Sequence, residues 1–282
     1  MKKNLKWILN KWIARIFIAA FLIILTVWSV FPVYWNFVTS IKERNDIFSD
    51  IPRFRFTPIF DYWIKALVPG SNSIYHFLSN SLIISIGVMM LTLLISALAA
   101  YSLSRYRFRF RSGILFLIMA TRLLPPISAL IPVFLLVNNL GLMDTQFMLI
   151  LIISTLNTPF SVWLLKTFFD SIPKELYEAA LVDGCKVSQS IWYIILPLVA
   201  PGLATAATFV FVQAWNEFTF SFVFSSIRAQ TLPVIIAQAR GDDIFLWQDM
   251  ATRTGILMIP ALIIGLYLQR HLVSGLTAGS IK

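Results

Sequence analysis

Cysteine and histidine are nearly absent from this chain of 282 residues, which has one of the former, Cys185, and two of the latter, His76 and His271. A single thiol excludes an internal disulfide and any cysteine-rich metal centre. The two histidines lie far apart in the chain, so neither a metal site nor a histidine-assisted nucleophile finds its partners. The phosphate-cradling pattern G-x-x-x-x-G-K-[ST] is also missing, and the chain is therefore not expected to bind ATP itself. Charge is scarce too: 13% of residues are Asp, Glu, Lys or Arg, against 58% hydrophobic, a balance no ordinary soluble core accommodates. The formal net charge of +10 comes without a clustered basic face, aromatic platforms or a recognised module, which argues against nucleic-acid binding.

What is present is long apolar runs. A helix needs about 20 residues, at about 1.5 Å each, to cross a hydrocarbon core of roughly 30 Å. Six runs meet that length: 16–39, 80–103, 113–137, 146–167, 198–227 and 251–269. They are continuous and lack the period-2 alternation of a membrane barrel. The expected fold class is all-α, a polytopic membrane protein with six transmembrane helices, in one domain over 1–282.

Basic residues near the helix ends set the expected orientation. Lys2, Lys3, Lys6, Lys11 and Arg15 fill the N-terminal stub, 1–15, and Arg105, Arg107, Arg109 and Arg111 fill the second connection. Both segments are expected in the cytoplasm, and with six spans so are both termini, including the tail 271–282. The first connection dilutes its basic residues with Glu43, Asp46, Asp50 and Asp61, the third has none, and the fifth sets Arg228 and Arg240 against Asp242, Asp243 and Asp249. These three are expected outside. The first apolar run is too long for a secretory signal and no small-residue cleavage site follows, so the N-terminus reads as an uncleaved anchor.

The polar segment 170–197 then falls in the cytoplasm. Ser171 is placed to cap a helix, Pro173 suits its first turn, and Glu175 lies near the positive end of its dipole. Asp183-Gly184 is expected to end that helix, because Gly takes a left-handed cap at low cost. A second, apolar-leaning helix from Val187 to Leu196 leads to Pro197. On periodicity alone this is an ordinary amphipathic surface element.

Spacing changes that reading. Glu178-Ala179-Ala180, three residues, Gly184, nine residues, then Ile194-x-Leu196-Pro197 resembles at every specified position the signature cytoplasmic loop of binding-protein-dependent ABC transporter permeases. The stretches Pro32 to Lys42, Asn80-Ser81, Ala100 to Arg105, Leu124-Pro125-Pro126, Ala214 to Phe218 and Gly275 to Gly279 look like the carbohydrate-importing branch, in particular the smaller permease subunit of maltose-type systems. Cys185 departs from the pattern, which usually has Ala there.

The resemblance implies a division of labour at the bacterial cytoplasmic (inner) membrane. A second permease subunit completes a heterodimeric path, two ATPase subunits hold ATP and Mg so that this chain needs no cofactor, and an extracytoplasmic solute-binding protein delivers the solute. The helix from Lys174 to Gly184 would be the coupling helix. Glu178 would make charge-assisted contacts in the ATPase cleft, Ala179 and Ala180 would permit close approach, and Asp183 and Gly184 would form the bend; Ile194, Leu196 and Pro197 complete the set. The implied solute is an oligosaccharide, a polyol or a glycerol derivative. The alternative, a self-sufficient secondary transporter of a small polar solute, would show internal repeats and paired ionisable residues at mid-membrane.

Within the spans, Arg122 costs about 2.5 to 3.5 kcal/mol to place in lipid. It is expected either to line the path or to pair within the assembly, with Glu217 as the natural ionic partner in this chain. Pro125-Pro126 should break the third helix and free carbonyls. Asn157, Asn216 and Glu217 carry the same two readings, and Trp215 either stacks on a sugar or serves as an anchor. The outer segments 43–79 and 228–249 either meet the binding protein or are plain loops.

Overall fold

The computed structural model describes the backbone of residues 2–70, 74–241 and 244–277, and the side chains of 12–70, 74–239 and 246–267. The first apolar run forms α1 (Lys2–Ser40), followed by the short helices α2 (Arg44–Ile47) and α3 (Asp61–Leu67). The second forms α4 (Tyr75–Arg105). The third is not one helix. It splits into α5 (Arg111–Ala120) and α6 (Leu130–Asn139), joined by 3-10 turns at Thr121–Leu123 and Pro126–Ala129. The two halves are bent by 88°. A proline disfavours the helical conformation for the residue before it, and both Leu124 (ψ 127°) and Pro125 (ψ 126°) are extended.

The fourth run forms α7 (Gln146–Ser171), and the polar segment forms α8 (Lys174–Val182) and α9 (Val187–Ser190). A π turn at Ile191–Ile195 leads into α10 (Leu196–Trp215), followed by α11 (Thr219–Phe224) and α12 (Leu232–Ala237). The expected fifth span therefore begins earlier than residue 198 and ends earlier than 227. An antiparallel pairing of β1 (Arg240–Gly241) with β2 (Ile244–Phe245) precedes α13 (Trp247–Thr277). Residues 278–282 of the expected tail, and Asp242 and Asp243, lie outside the described residues. Among the described residues, five helical segments, Trp12–Ser40, Tyr75–Arg105, Gln146–Ser171, Val187–Trp215 and Trp247–Tyr267, are long and apolar enough to cross a membrane, and the bent pair brings the number to six when its halves are counted as one span.

The chain divides into two compact units, Met1–Ser73 with Ala239–Ile256, and Ile74–Gln238 with Leu257–Lys282. In the first, the Asn36 amide donates to the Ala251 carbonyl and the Trp63 indole donates to Ser40 Oγ, both at 3.0 Å. Lys42 is buried there between aromatic faces, its Nζ 4.9 Å from the Trp35 ring and 5.1 Å from that of Phe56.

The second unit is built on α4, α7 and α10. One end of its core holds Ile84, Val88, Leu149, Ile153 and Phe224, the other Ala100, Leu165, Phe169, Ile195 and Val199. Small residues let the helices approach closely. At Gly202 a β-carbon would stand 2.4 Å from Phe168 Cγ, so only glycine fits where α10 crosses α7.

Candidate functional site

Helix α8 forms a nine-residue platform between α7 and α9. Ser171 does not cap it: that residue closes α7, its hydroxyl donating to the Phe168 carbonyl at 2.7 Å, and Pro173 takes the N-cap position with no side-chain bond. Glu175 lies in the first turn as expected. At the other end Gly184 has φ +85°. Its N–H reaches the Leu181 carbonyl at 3.1 Å, while the Cys185 N–H reaches that of Ala180 at 3.0 Å. This paired pattern is a Schellman cap, which satisfies two carbonyls that the helix end would leave unbonded.

The seven motif positions do not share one face. Glu178 and Ala179 are exposed, as is Val182 at 87%, whereas Ala180 is 4% exposed and turned into its own chain. Each residue advances about 100° around a helix, so neighbours in sequence separate in space. Tyr177 packs from α8 onto the buried group around Phe169 and Ile195. Ile194 and Leu196 are half-buried and Pro197 is exposed. Proline lacks an N–H and crowds the carbonyl four residues back; the π turn accommodates both, with the Leu196 N–H bonding to Ile191. The I-x-L-P element is thus the place where α9 is threaded into a membrane helix.

A polar knot ties the end of α7, just before α8, to the end of α4 and the start of α5. Asp170 accepts from Ser104 Oγ at 2.6 Å, pairs with Lys166, and lies 3.6 Å from Arg111. Arg105 donates to the Ile172 carbonyl at 3.3 Å.

The intramembrane polar residues occupy two places. Arg122 and Asn157 line a cavity of about 170 Å³ with Phe160, Phe209, Val210 and Gln213. The Arg122 guanidinium stands 5.4 Å from the Phe160 ring centre. Glu217 lies elsewhere, lining a cavity of about 290 Å³ with Pro126, Ile127, Leu156, Thr219 and Phe220. Its carboxylate accepts from the backbone N–H groups of Phe220 (2.8 Å) and Ser221 (3.0 Å) and from Ser221 Oγ (3.0 Å). The expected Arg122–Glu217 pair does not form, because Glu217 is used in capping α11; among the described residues Arg122 has no ion-pair partner.

Trp215 is 1% exposed, stacks on Phe211 and donates its indole N–H to the Leu257 carbonyl at 3.0 Å. It packs in the core and faces neither cavity. Asn216 and Pro125 are exposed, and the Asn216 amide bonds back to Val212. Sequence reasoning missed Phe160, Phe209 and Gln213. The i, i+3 spacing from Asn157 to Phe160 and the i, i+4 spacing from Phe209 to Gln213 place each pair on one helix face, a signal available without the structure.

A second polar site lies at the other end of α7, about 39 Å from α8 for a helix of 26 residues. Asp144, at φ 58°, accepts from four backbone N–H groups. Oδ1 takes those of Ser226 (2.9 Å), Ile227 (3.2 Å) and Ala229 (3.0 Å), and Oδ2 takes those of Ile227 (3.1 Å) and Arg228 (2.9 Å). Partial burial disfavours the charged form, yet these bonds prevail and hold the carboxyl well below the usual carboxylate range. Asn80 donates to the carbonyls of Arg228 (2.8 Å) and Gln230 (2.9 Å), and accepts from Gln146 (2.6 Å).

Residues 92–278 match the family described as binding-protein-dependent transport system inner membrane component. The chain is 35% identical over 268 residues to the sulfoquinovosyl glycerol transport system permease protein SmoH of Agrobacterium fabrum, covering 94% of this chain and 93% of that one. It is 34% identical to the diacetylchitobiose uptake system permease protein DasC of Streptomyces coelicolor (92% and 94% covered) and 34% to the trehalose/maltose transport system permease protein MalG of Thermococcus litoralis (95% and 97%). Among solved structures, a chain of a bacterial ABC transporter involved in the import of alginate superposes with a TM-score of 0.75 at 22% identity, covering 92% of this chain and 96% of that one. At that identity the likeness carries the fold alone.

Proposed function

The chain belongs to the family of binding-protein-dependent transport system inner membrane components, and we propose that within such an importer α8 is the helix through which the ATPases drive the membrane spans. It is a permease subunit of an ATP-driven ABC importer and not an enzyme. Its partners are a second permease subunit, two ATPase subunits and an extracytoplasmic solute-binding protein. ATP and Mg reside in the ATPases.

The observation that carries the coupling role is a spacing match laid on a rigid frame. The Glu178 and Ala179 face points outward from a helix that is capped at Gly184, packed through Tyr177 and Ala180, and followed by a π turn. Glu178 makes the charge-assisted contact and Ala179 lets the ATPase cleft approach. Ala180 serves this chain's own packing. Closure of the ATPases displaces α8, and the spans rock between inward- and outward-facing states. Both termini and the Arg105–Arg111 connection lie in the cytoplasm, and the segments 43–79 and 228–249 face the binding protein.

The solute is a carbohydrate or a glycerol derivative of one, a class supported by the three relatives' transport systems. Arg122 and Asn157, joined by Phe160 and Gln213, form the path-lining group, since a guanidinium, two amides and aromatic faces suit hydroxyl-bearing rings. Glu217 acts on this path indirectly, by holding α11. The test is a reconstituted complex carrying Glu178→Lys, with uptake and ATPase activity measured together. Expected is full membrane assembly with transport lost or uncoupled from hydrolysis; wild-type binding-protein-stimulated uptake would overturn the coupling role.

A further inference from the structure

Residues 106–110 alone join α4 to α5, so the connection stays within reach of the membrane surface at which α4 ends. From Arg105 to Arg111 it alternates cation and aromatic ring without a break. Tyr106, Phe108 and Phe110 are exposed, as are Arg107 and Arg109, which make no ion pair among the described residues. Exposed rings interleaved with unpaired cations at the end of a span suit the headgroup layer of a bilayer, where rings anchor and cations meet phosphates.

Beside the connection lies a cavity of about 380 Å³, whose lining includes Arg105, Arg111 and Lys174 against Asp170 and Glu175. Asp170 is already met by Lys166 and the Ser104 hydroxyl, and Arg111 stands 3.6 Å from it, too far for a hydrogen bond. Arg105 spends Nη1 on the Ile172 carbonyl, while its Nε and Nη2 are buried without a partner. Unmet donors on a buried cation are costly, and a small rotation of the guanidinium would offer them to an oxyanion in the cavity. The start of α8, which has no side-chain cap, forms another wall, and the positive end of its dipole adds to the same field.

We propose that this cavity binds the phosphate of an anionic phospholipid headgroup, with Arg105 and Arg111 as its ligands and the start of α8 as its wall, while Arg107, Arg109 and the three rings hold the connection in the headgroup layer. Position selects the lipid over a soluble phosphate, because exposed rings at the end of a span gain from a bilayer and gain nothing from a free anion. The α7–α8 joint then senses membrane charge, since Asp170 and the phosphate compete for Arg111. This rests on the cytoplasmic placement of the connection and the coupling role of α8 proposed above.

The experiment releases the full importer from nanodiscs holding graded mole fractions of phosphatidylglycerol in phosphatidylcholine, and counts retained phosphatidylglycerol by native mass spectrometry. Arg111→Gln removes a charge-assisted contact and should raise the half-saturating mole fraction about tenfold, with Arg111→Lys falling between it and the wild type. Asp170→Asn removes the competing carboxylate and should lower half-saturation, whereas a purely structural knot predicts weaker retention in both. Arg107→Gln combined with Arg109→Gln removes twice the charge but leaves the cavity, and should shift half-saturation less than Arg111→Gln alone. An equal or larger shift there, or weaker retention in Asp170→Asn, would overturn the site. Phosphatidylglycerol should also slow hydrogen exchange of the 170–176 amides; equal protection by millimolar inorganic phosphate in pure phosphatidylcholine would overturn the lipid as occupant. Specific retention in an importer without binding-protein-stimulated ATPase activity would leave the site standing and sink the coupling reading instead.

Discussion

A graded substitution series at Gly184 separates backbone geometry from surface contact at the end of α8. The residue has φ +85°, and a β-carbon there would meet nothing within 4 Å. The penalty for a side chain is thus conformational rather than steric. For alanine it is about 1 to 2 kcal/mol, the cost of the left-handed conformation for an L-residue. Asparagine visits that region more readily and should cost less. Proline fixes φ near about −65° and has no N–H. It therefore loses the bond to Leu181, and the turn that lets Cys185 reach Ala180 can no longer form. Each lost bond is worth about 0.5 to 1.5 kcal/mol, which on top of the forced φ brings the total to about 3 kcal/mol or more. A nine-residue helix has no margin of its own in water, so its last turn should open. Hydrogen exchange of the 180–186 amides in the assembled importer should show protection falling in the order Gly, Asn, Ala, Pro. Solute moved per ATP hydrolysed should fall in the same order. If alanine proved as damaging as proline, the limiting factor would be a partner surface that excludes a β-carbon, and the backbone argument would be refuted.

Three further outcomes are expected. Gly202→Val forces atoms onto the Phe168 ring and should lower thermal stability of the subunit by about 1 to 3 kcal/mol, the range for overpacked cores; an unchanged melting curve would mean that α7 and α10 part easily. Glu217→Gln weakens a cap worth about 1 kcal/mol, and because Arg122 and Glu217 form no pair, the effects of Arg122→Gln and Glu217→Gln on stability should add to within about 0.5 kcal/mol. A larger coupling energy in the double-mutant cycle would contradict the separation of the two cavities. The Asp144 carboxyl is held below its ordinary range in the folded chain, so its contribution is complete above the unfolded value of about 3.9 and is lost as pH falls through the folded value. The stability gap between the wild type and Asp144→Asn should accordingly be constant from pH 7 to about pH 5 and shrink below about pH 4; a gap that widens with acid would reverse the assigned sign.

The spans were legible because burial in lipid demands length and apolarity, and both are local properties of the sequence. The break at Pro125-Pro126 was legible for the same reason, since proline acts on its immediate neighbours. Partnerships were not. Glu217 reads as a counter-charge to Arg122 only while its nearest donors, the amides three and four residues on, are overlooked. Asp144 gave no signal at all, because its partners are main-chain groups more than eighty residues away, and a main-chain amide has no letter in a sequence. Trp215 shows the same limit from the other side: an indole can stack on a sugar or plug a core, and only the carbonyl of Leu257 distinguishes them. Within the seven-position motif, spacing located the segment, but the division between the outward Ala179 and the inward Ala180 required a helix with a known packed face.

The 88° bend between α5 and α6 also governs how the chain is made. Each helix has 10 residues and so rises about 15 Å, half the hydrocarbon thickness. Neither can be released alone into the bilayer as a spanning helix, and the first carries Arg122 just beyond its end. During synthesis this pair must wait at the insertion machinery until α7 emerges to cover it. In a nascent chain truncated just after Asn139, held in the membrane by α1 and α4, single cysteines introduced in 111–139 should therefore remain open to an aqueous thiol reagent, whereas in one extended through Ser171 they should be shielded, making α7 the helix that completes integration of the segment before it.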